Sequence, residues 1–156
     1  MTVNKINSTS ISNSNTNNTS NIKSSHGAQI GQTFTANSFQ DVMKNTRLEL
    51  FNGTMNELLD IVKNRGQEFL RSPQEESLYS YKESVKYFLN KIREEFLSLK
   101  EEFGVERDGE QRVYQLVDTA GGQAEALTRE AFTKDDALNL LTSLDEIRGL
   151  VLDVIG

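Results

Sequence analysis

The chain has 156 residues, no cysteine and a formal net charge of −6, so it offers neither a disulfide framework nor a thiolate site. The negative charge is concentrated in residues 54–156, where 13 Lys and Arg stand against 21 Asp and Glu, and this balance excludes a general nucleic-acid partner. No run approaches the roughly 20 apolar residues of a membrane span, and the start lacks the apolar stretch of a secretory signal, so we expect a cytoplasmic protein with no membrane partner.

Residues 1–36 are predicted to form a disordered leader. They contain 20 Ser, Thr or Asn residues, and their few apolar residues follow no sustained period. Such a segment cannot bury enough apolar surface to offset the entropy lost on ordering. We interpret it as a tether, with a flagellar-type export signal as the alternative, and we expect the folded domain to span residues 37–156.

Two helices are predicted next, separated by a break. A short first helix is expected over residues 38–51, and the turn-forming sequence at 52–54 should end it. Thr54 followed by Glu57 has the spacing of a capping box, which predicts a second helix ending near Ser72. Apolar residues at helical spacing support the first helix: Phe39, Val42, Met43 and Leu50.

A long third helix is predicted from Ser72 to Phe103. Ser72 is the expected N-cap, Pro73 occupies the first helical position, and Glu75 completes a capping box. Apolar residues then recur every three or four positions. Gly104 should stop the helix by adopting a left-handed conformation. Because this segment is the longest periodic one, we expect it to be the spine of the fold.

The passage "VERDGEQRVY" is predicted to be a surface loop that contains a small hairpin, with Asp108-Gly109 as its turn. A fourth helix should follow from Val113 to Phe132, since apolar residues step by three and four through it. Gly121-Gly122 lies inside this helix and predicts a kink.

The last predicted helix begins with a capping box of Thr133 and Asp136 and runs to Ile155. It is apolar on two flanks, so the second flank must be covered by other helices or by a second subunit. Gly149 is expected to permit close approach of another backbone. The chain is therefore predicted to be all-α, a helical bundle of four to five helices with one long central helix.

Three blocks carry a family resemblance: "SLYSYKESVKYFLNKIREE", "RVYQLVDT" and "LDEIRGLVLDVI". In their order and separation they resemble the YaaR-like family of small bacterial proteins, a domain of unknown function, over Phe39 to Ile155. The resemblance implies an all-helical bundle after a variable N-terminus, and it supplies no catalytic residues. The chain departs from the family pattern at "TAGGQAEA", where a better helix former than Gly-Gly is expected.

Candidate catalytic and metal-binding groups are few. His26 is the sole histidine, and a disordered leader cannot hold a general base in position. The acidic pairs are adjacent in sequence, so on a helix their side chains diverge, and no Glu-x-x-His motif accompanies them. We therefore expect no enzyme activity, no cofactor and no metal site.

An aromatic and basic cluster offers candidate contacts with another protein. In one reading it belongs to the core stripe and its flank, and in the other it is a docking patch. On the last helix, Arg148 is predicted to be an ion-pair or capping partner, with an intermolecular contact as the alternative, and Val151 is a further candidate contact. The cluster residues proposed for contact are Tyr79, Lys82, Lys86 and Tyr87.

The favoured function is that of a non-enzymatic, cytoplasmic helical protein acting through protein–protein contacts, with a homodimer as one option. One alternative is a flagellum-associated or exported protein that uses its leader as the signal. The other is a small-ligand receptor or enzyme with an unrecognised site, which requires a concave pocket with converging polar groups.

Overall fold

The computed structural model describes the backbone of residues 28–156 and the side chains of residues 38–156. Residues 46–156 form one compact unit, distinct from the residues that precede it. Four helices cover the described part, with no strand in it, which confirms the all-α class. They are α1, Ala28–Arg71; α2, Glu75–Phe103; α3, Arg107–Glu125; and α4, Lys134–Ile155.

The predicted leader falls largely outside the described residues. Residues 1–27 are not described, so the export-signal alternative, which depends on them, stays a prediction. The backbone is already helical at Ala28. The first helix therefore begins ahead of the expected start at Ser38.

The predicted break at residues 52–54 is wrong, because α1 continues through it. Phe51, Met55 and Leu59 are buried at successive spacings of four, and a continuous helix places all three on one face. Gly53 costs this helix about 1 kcal/mol relative to Ala, which is less than the burial of two large apolar side chains contributes. Thr54 and Glu57 therefore lie inside α1, and the predicted helix start at Thr54 is wrong.

The start of α2 is shifted from the predicted one. Gln74 is the N-cap, and its backbone N–H donates to Ser77 Oγ at 3.1 Å. Ser77 Oγ in turn donates to the carbonyl of Ser72 at 2.9 Å. The predicted box of Ser72 and Glu75 is wrong, and Pro73 precedes the helix. The predicted end is confirmed, since Gly104 has φ 79° and its N–H donates to the Lys100 carbonyl at 2.8 Å.

The hydrophobic core of residues 46–156 is built around α2, which packs against both α3 and α4. This helix supplies the apolar spine that the sequence predicts. Its buried residues are Leu78, Tyr81, Val85, Phe88, Leu89, Ile92, Phe96 and Leu99.

The predicted hairpin around Asp108-Gly109 is wrong, because this sequence forms the first turn of α3. Asp108 and Glu110 lie at the positive end of that helix, where acidic side chains are stabilising. The helix remains continuous through Gly121-Gly122 and ends at Glu125, short of the predicted end at Phe132.

The segment after α3 still contributes to the core. Phe132 is buried outside any helix, and its ring centroid lies 5.2 Å from that of Phe69 and 5.0 Å from that of Tyr81. Aromatic pairs at this separation add to the stability gained from their burial. Phe132 therefore ties the connection between α3 and α4 to α1 and α2.

The start of α4 is as predicted. Thr133 N–H donates to Asp136 Oδ2 at 2.9 Å, and Asp136 N–H donates to Thr133 Oγ1 at 3.2 Å. The predicted close approach at Gly149 is wrong within the chain, since a Cβ there would meet nothing within 4 Å. The buried face of α4 consists of Leu140, Leu144, Ile147, Val151 and Ile155.

The second apolar flank of α4 is covered mainly by the chain itself. Leu141, Leu150 and Leu152 are half-buried against the core, whereas Leu138 is 59% exposed. Intramolecular packing thus explains most of the apolar surplus noted in the sequence. The homodimer stays a prediction.

Candidate interaction surface

The predicted aromatic and basic cluster is divided between two faces of α2. Lys82 and Lys86 line a groove of about 220 Å³ between α2 and α3, beside Gly121 and Gly122. Lys82 Nζ donates to the Glu125 carbonyl at 3.1 Å. This contact satisfies a free carbonyl at the C-terminal end of α3, where a cation is favourable. Lys82 therefore has a structural role.

The two tyrosines face a different groove, between α1 and α2, with a volume of about 490 Å³. Tyr79 and Tyr87 lie eight residues apart, and their side chains stand along the same groove. We call this surface the tyrosine groove. Its principal lining residues are Leu58, Ile61, Arg65, Tyr79, Glu83 and Tyr87.

The tyrosine groove exposes several large apolar side chains. Tyr79 is 67% exposed, Tyr87 59% and Ile61 44%, and half-buried Leu58 lies beside them. Single exposed apolar residues are ordinary, but a contiguous group of them marks an interaction site. Tyrosine is also among the residues enriched at interfaces. The groove is therefore a candidate surface for binding another protein.

Hydrogen bonds hold parts of this surface in place. The Tyr79 hydroxyl donates to Glu83 Oε1 at 3.1 Å, one helical turn away. This bond raises the pKa of Tyr79, and the negative charge of Glu83 adds to the effect. Across the groove, the Arg65 guanidinium of α1 donates to Ser80 Oγ of α2. The two helices are thus linked by a side-chain bond at the groove.

The pKa of Lys100 is also raised, chiefly by its hydrogen bond to Glu110 at 2.9 Å. Residues 38–156 contain no group of three or more side chains arranged to hold a metal ion.

Val151 and Arg148 are turned toward their own chain. Val151 has no exposed surface, so it is unavailable to a partner, contrary to the contact predicted for it. The Arg148 guanidinium pairs with Asp145 at 2.9 Å and also donates to Asn52 Oδ1 of α1. Arg148 therefore joins α4 to α1 within the chain.

A family model described as a protein of unknown function, DUF327, matches residues 4–155. The chain belongs to this family. The match confirms the resemblance to the YaaR-like proteins and extends it toward the N-terminus. A search of curated proteins found none similar to this DUF327 member, and a search of solved structures also found none. Within the described residues, no helix is long and apolar enough to cross a membrane.

Ile61 and Leu58 are apolar groove residues that were not among the contacts predicted from the sequence. Both lie on α1, and neither has a motif around it. Ile61 carries a weak signal, since it directly precedes buried Val62 and so lies about 100° away from the buried stripe. A large apolar residue off the core stripe is the pattern that would have identified it.

Proposed function

We propose that this DUF327 protein is a non-enzymatic helical interaction module, and that it binds a partner protein through the tyrosine groove. The observation that carries the proposal is the exposure of Tyr79, Tyr87 and Ile61 along one groove between two helices. Aromatic side chains at an interface bury large areas on binding and dominate its affinity.

The construction of the groove favours binding without large rearrangement. Its side chains project from α1 and α2, and sites on helices are held more precisely than sites on loops. The hydrogen bond from Tyr79 to Glu83 restricts the tyrosine ring before a partner arrives. Restricting a side chain in advance lowers the entropy lost on association.

The rim of the groove carries charges of both signs. Arg65 lies on one side, and Glu76 and Glu83 lie on the other. A mixed rim around apolar residues is the usual anatomy of a protein interface, with charges setting orientation more than affinity. The partner surface should therefore present an apolar centre bordered by complementary charges.

The non-enzymatic part of the proposal is supported by composition. The sequence has no cysteine and a single histidine, His26, which lies outside the described residues. These two residue types supply many nucleophiles and general bases. A chain without cysteine also has no need of an oxidising compartment, which is compatible with the cytoplasmic location that we propose.

The test compares the full-length chain with a variant that carries Tyr79→Ala and Tyr87→Ala. Each is tagged, returned to its source cells at native abundance and purified with its associated proteins, which are quantified by mass spectrometry. We expect at least one stoichiometric partner to be reduced about tenfold or more by the double substitution, since an aromatic anchor contributes at least ~1–2 kcal/mol.

The matched control is Leu97→Ala, because Leu97 is also on α2, is 44% exposed and lies outside the groove. It should retain the partner. Circular dichroism must give the same helical content for all three proteins. If both tyrosines can be removed without loss of any partner, the groove is not the binding surface.

A further inference from the structure

The tyrosine groove continues at one end into a polar recess of about 270 Å³. The groove and the recess share Arg65, Glu76 and Ser80 as lining residues, so they form one surface along α1 and α2. We call the recess the acidic end of the groove, because Glu68 and Glu76 supply its carboxylates. The apolar part of the groove therefore passes directly into an acidic one.

Carboxylates outnumber cations along this surface. Glu68, Glu76 and Glu83 are all exposed, and none of them is ion-paired with a described residue. Arg65 is the cation among the lining residues, and its guanidinium is already hydrogen-bonded to Ser80 Oγ. The rest of the chain has the same sign, with 13 Lys and Arg against 21 Asp and Glu in residues 54–156. The local and the overall charge therefore both favour a cationic occupant.

The walls of the groove favour a helical occupant. The residues that line its apolar part lie inside α1 and α2, where the backbone N–H and C=O groups are bonded to one another. These walls offer no strand edge to which an extended peptide could add. An extended segment would lose backbone hydrogen bonds to water without replacing them, whereas a helix satisfies its own backbone groups.

The length of the groove sets the length of the bound helix. Glu76 and Tyr87 are the first and last residues of α2 that line its apolar part, and they are about three helical turns apart. Tyr79 and Tyr87 are separated by roughly 12 Å along the helix axis, which is the span from position i to i+7 or i+8 of a second helix. Amphipathic helices bind grooves through large apolar residues at this spacing. A helix of about fourteen residues would therefore cover the groove.

We propose that the occupant of the tyrosine groove is a basic amphipathic helix of a partner protein. Its apolar face packs on Ile61, Tyr79 and Tyr87, and its Lys or Arg side chains pair with the carboxylates of Glu68 and Glu76. This contact rests on the proposed function and adds the chemistry of the partner to it. Because the charge of a probe can be changed while its apolar face is kept, either proposal can fail alone.

The experiment titrates the full-length protein with three capped peptides of about fourteen residues and follows binding by methyl NMR. All three carry leucine at i, i+3, i+4 and i+7, and a side-chain bridge on the outer face keeps them equally helical. They differ only at the remaining polar positions, which are lysine, glutamine or glutamate.

We expect the lysine peptide to shift the methyl signals of Ile61 and Leu58. It should bind about three- to tenfold more tightly than the glutamine peptide, as two exposed ion pairs allow, and the glutamate peptide should be weakest. Leu138, which is 59% exposed on α4, should not shift. A lysine peptide without the bridge and with a central proline cannot form the helix, so it should bind at least about tenfold more weakly.

Two charge variants separate a local contact from the effect of net charge. Glu76→Lys should weaken the lysine peptide by about threefold or more and strengthen the glutamate peptide. Glu146→Lys makes the same change in net charge on the exposed surface of α4, outside the groove, and should leave both peptides nearly unchanged. Tyr79→Ala combined with Tyr87→Ala should remove binding, because aromatic anchors dominate the affinity. Circular dichroism must give the same helical content for all variants.

Four outcomes would overturn the proposal. Equal binding of the three bridged peptides would show that the groove takes apolar helices of any charge, and the proposed function would stand without a basic partner. Equal effects of Glu76→Lys and Glu146→Lys would show that net charge alone attracts the lysine peptide. Equal binding of the proline peptide would exclude a helical occupant. The fourth is the failure of every peptide to shift Ile61, whereas the proposed function fails only if removing both tyrosines loses no partner.

Discussion

Gly109 of α3 and Val154 of α4 pack so closely that a Cβ on residue 109 would lie 2.8 Å from Val154 Cγ1. Real Cβ atoms do not approach another carbon to that distance. The first turn of α3 therefore depends on the absence of a side chain at this position. This packing also explains why a sequence typical of a turn, Asp-Gly, is helical here.

The first prediction concerns this contact. Gly109→Ala should destabilise the protein by about 1–2 kcal/mol, because overpacking against a branched side chain outweighs the gain of about 1 kcal/mol in helix propensity. Urea unfolding followed by circular dichroism measures the change. Gly53→Ala is the control. It should stabilise the protein by up to about 1 kcal/mol, since its Cβ would meet nothing. Equal effects at the two glycines would contradict the assigned contact.

The sequence predicted the features that depend on neighbouring residues. The capping box of Thr133 and Asp136 involves residues three positions apart. The end of α2 at Gly104 depends on the conformational freedom of one glycine. The buried stripe of α2 follows from its spacing alone. Such features can be predicted without knowing which residues pack against them.

The features that the sequence did not predict depend on distant residues. The expected break at residues 52–54 was overruled by the shared burial of Phe51 and Met55. The turn expected at Asp108-Gly109 was overruled by packing against Val154. In each case the local sequence favours a turn, but the free energy gained from tertiary packing exceeds the cost of placing that sequence in a helix.

The candidate surface was predicted only in part, because its membership also depends on how distant residues pack. The exposure of Tyr79 and Tyr87 follows from their positions off the stripe of α2. Lys82 and Lys86 are near the tyrosines in sequence, but they line a groove on another face of α2. The contribution of Ile61 requires knowing how α1 packs, which periodicity does not give.

The second prediction concerns Val151. Val151→Asp should prevent stable folding, because it places an unpaired carboxylate where no surface is exposed, at a cost above about 4 kcal/mol. Circular dichroism and urea unfolding report the loss. The control is Leu138→Asp on the same helix, which should remain folded since Leu138 is 59% exposed. A folded monomer carrying Asp at 151 would place that residue at a subunit interface.

The third prediction concerns Arg148 and Asn52, which are joined by a side-chain hydrogen bond between α4 and α1. Each alanine substitution should destabilise the protein, and the two effects should be non-additive by about 0.5–1.5 kcal/mol. A double-mutant cycle from urea unfolding measures this coupling. Strict additivity would show that the bond contributes nothing to stability.

The fourth prediction concerns stability at alkaline pH. Tyr81 keeps its proton in the folded state because burial raises its pKa, whereas in the unfolded chain a tyrosine ionises near pH 10. The folded state therefore binds more protons above that pH, and stability falls as the pH rises, by at most about 1.4 kcal/mol per pH unit from this group. Tyr81→Phe should lose less stability than the wild type above pH 10, measured by urea unfolding at several pH values. Parallel losses in the two proteins would contradict the assignment.

The position of Val151 and Ile155 in the core has a consequence for biosynthesis. Both belong to the same buried cluster as Phe51 and Met55, about a hundred residues earlier in the chain. The apolar surface that α4 covers therefore stays exposed on the ribosome until the residues of α4 have left the exit tunnel. During that interval the nascent chain exposes surface that a chaperone would recognise.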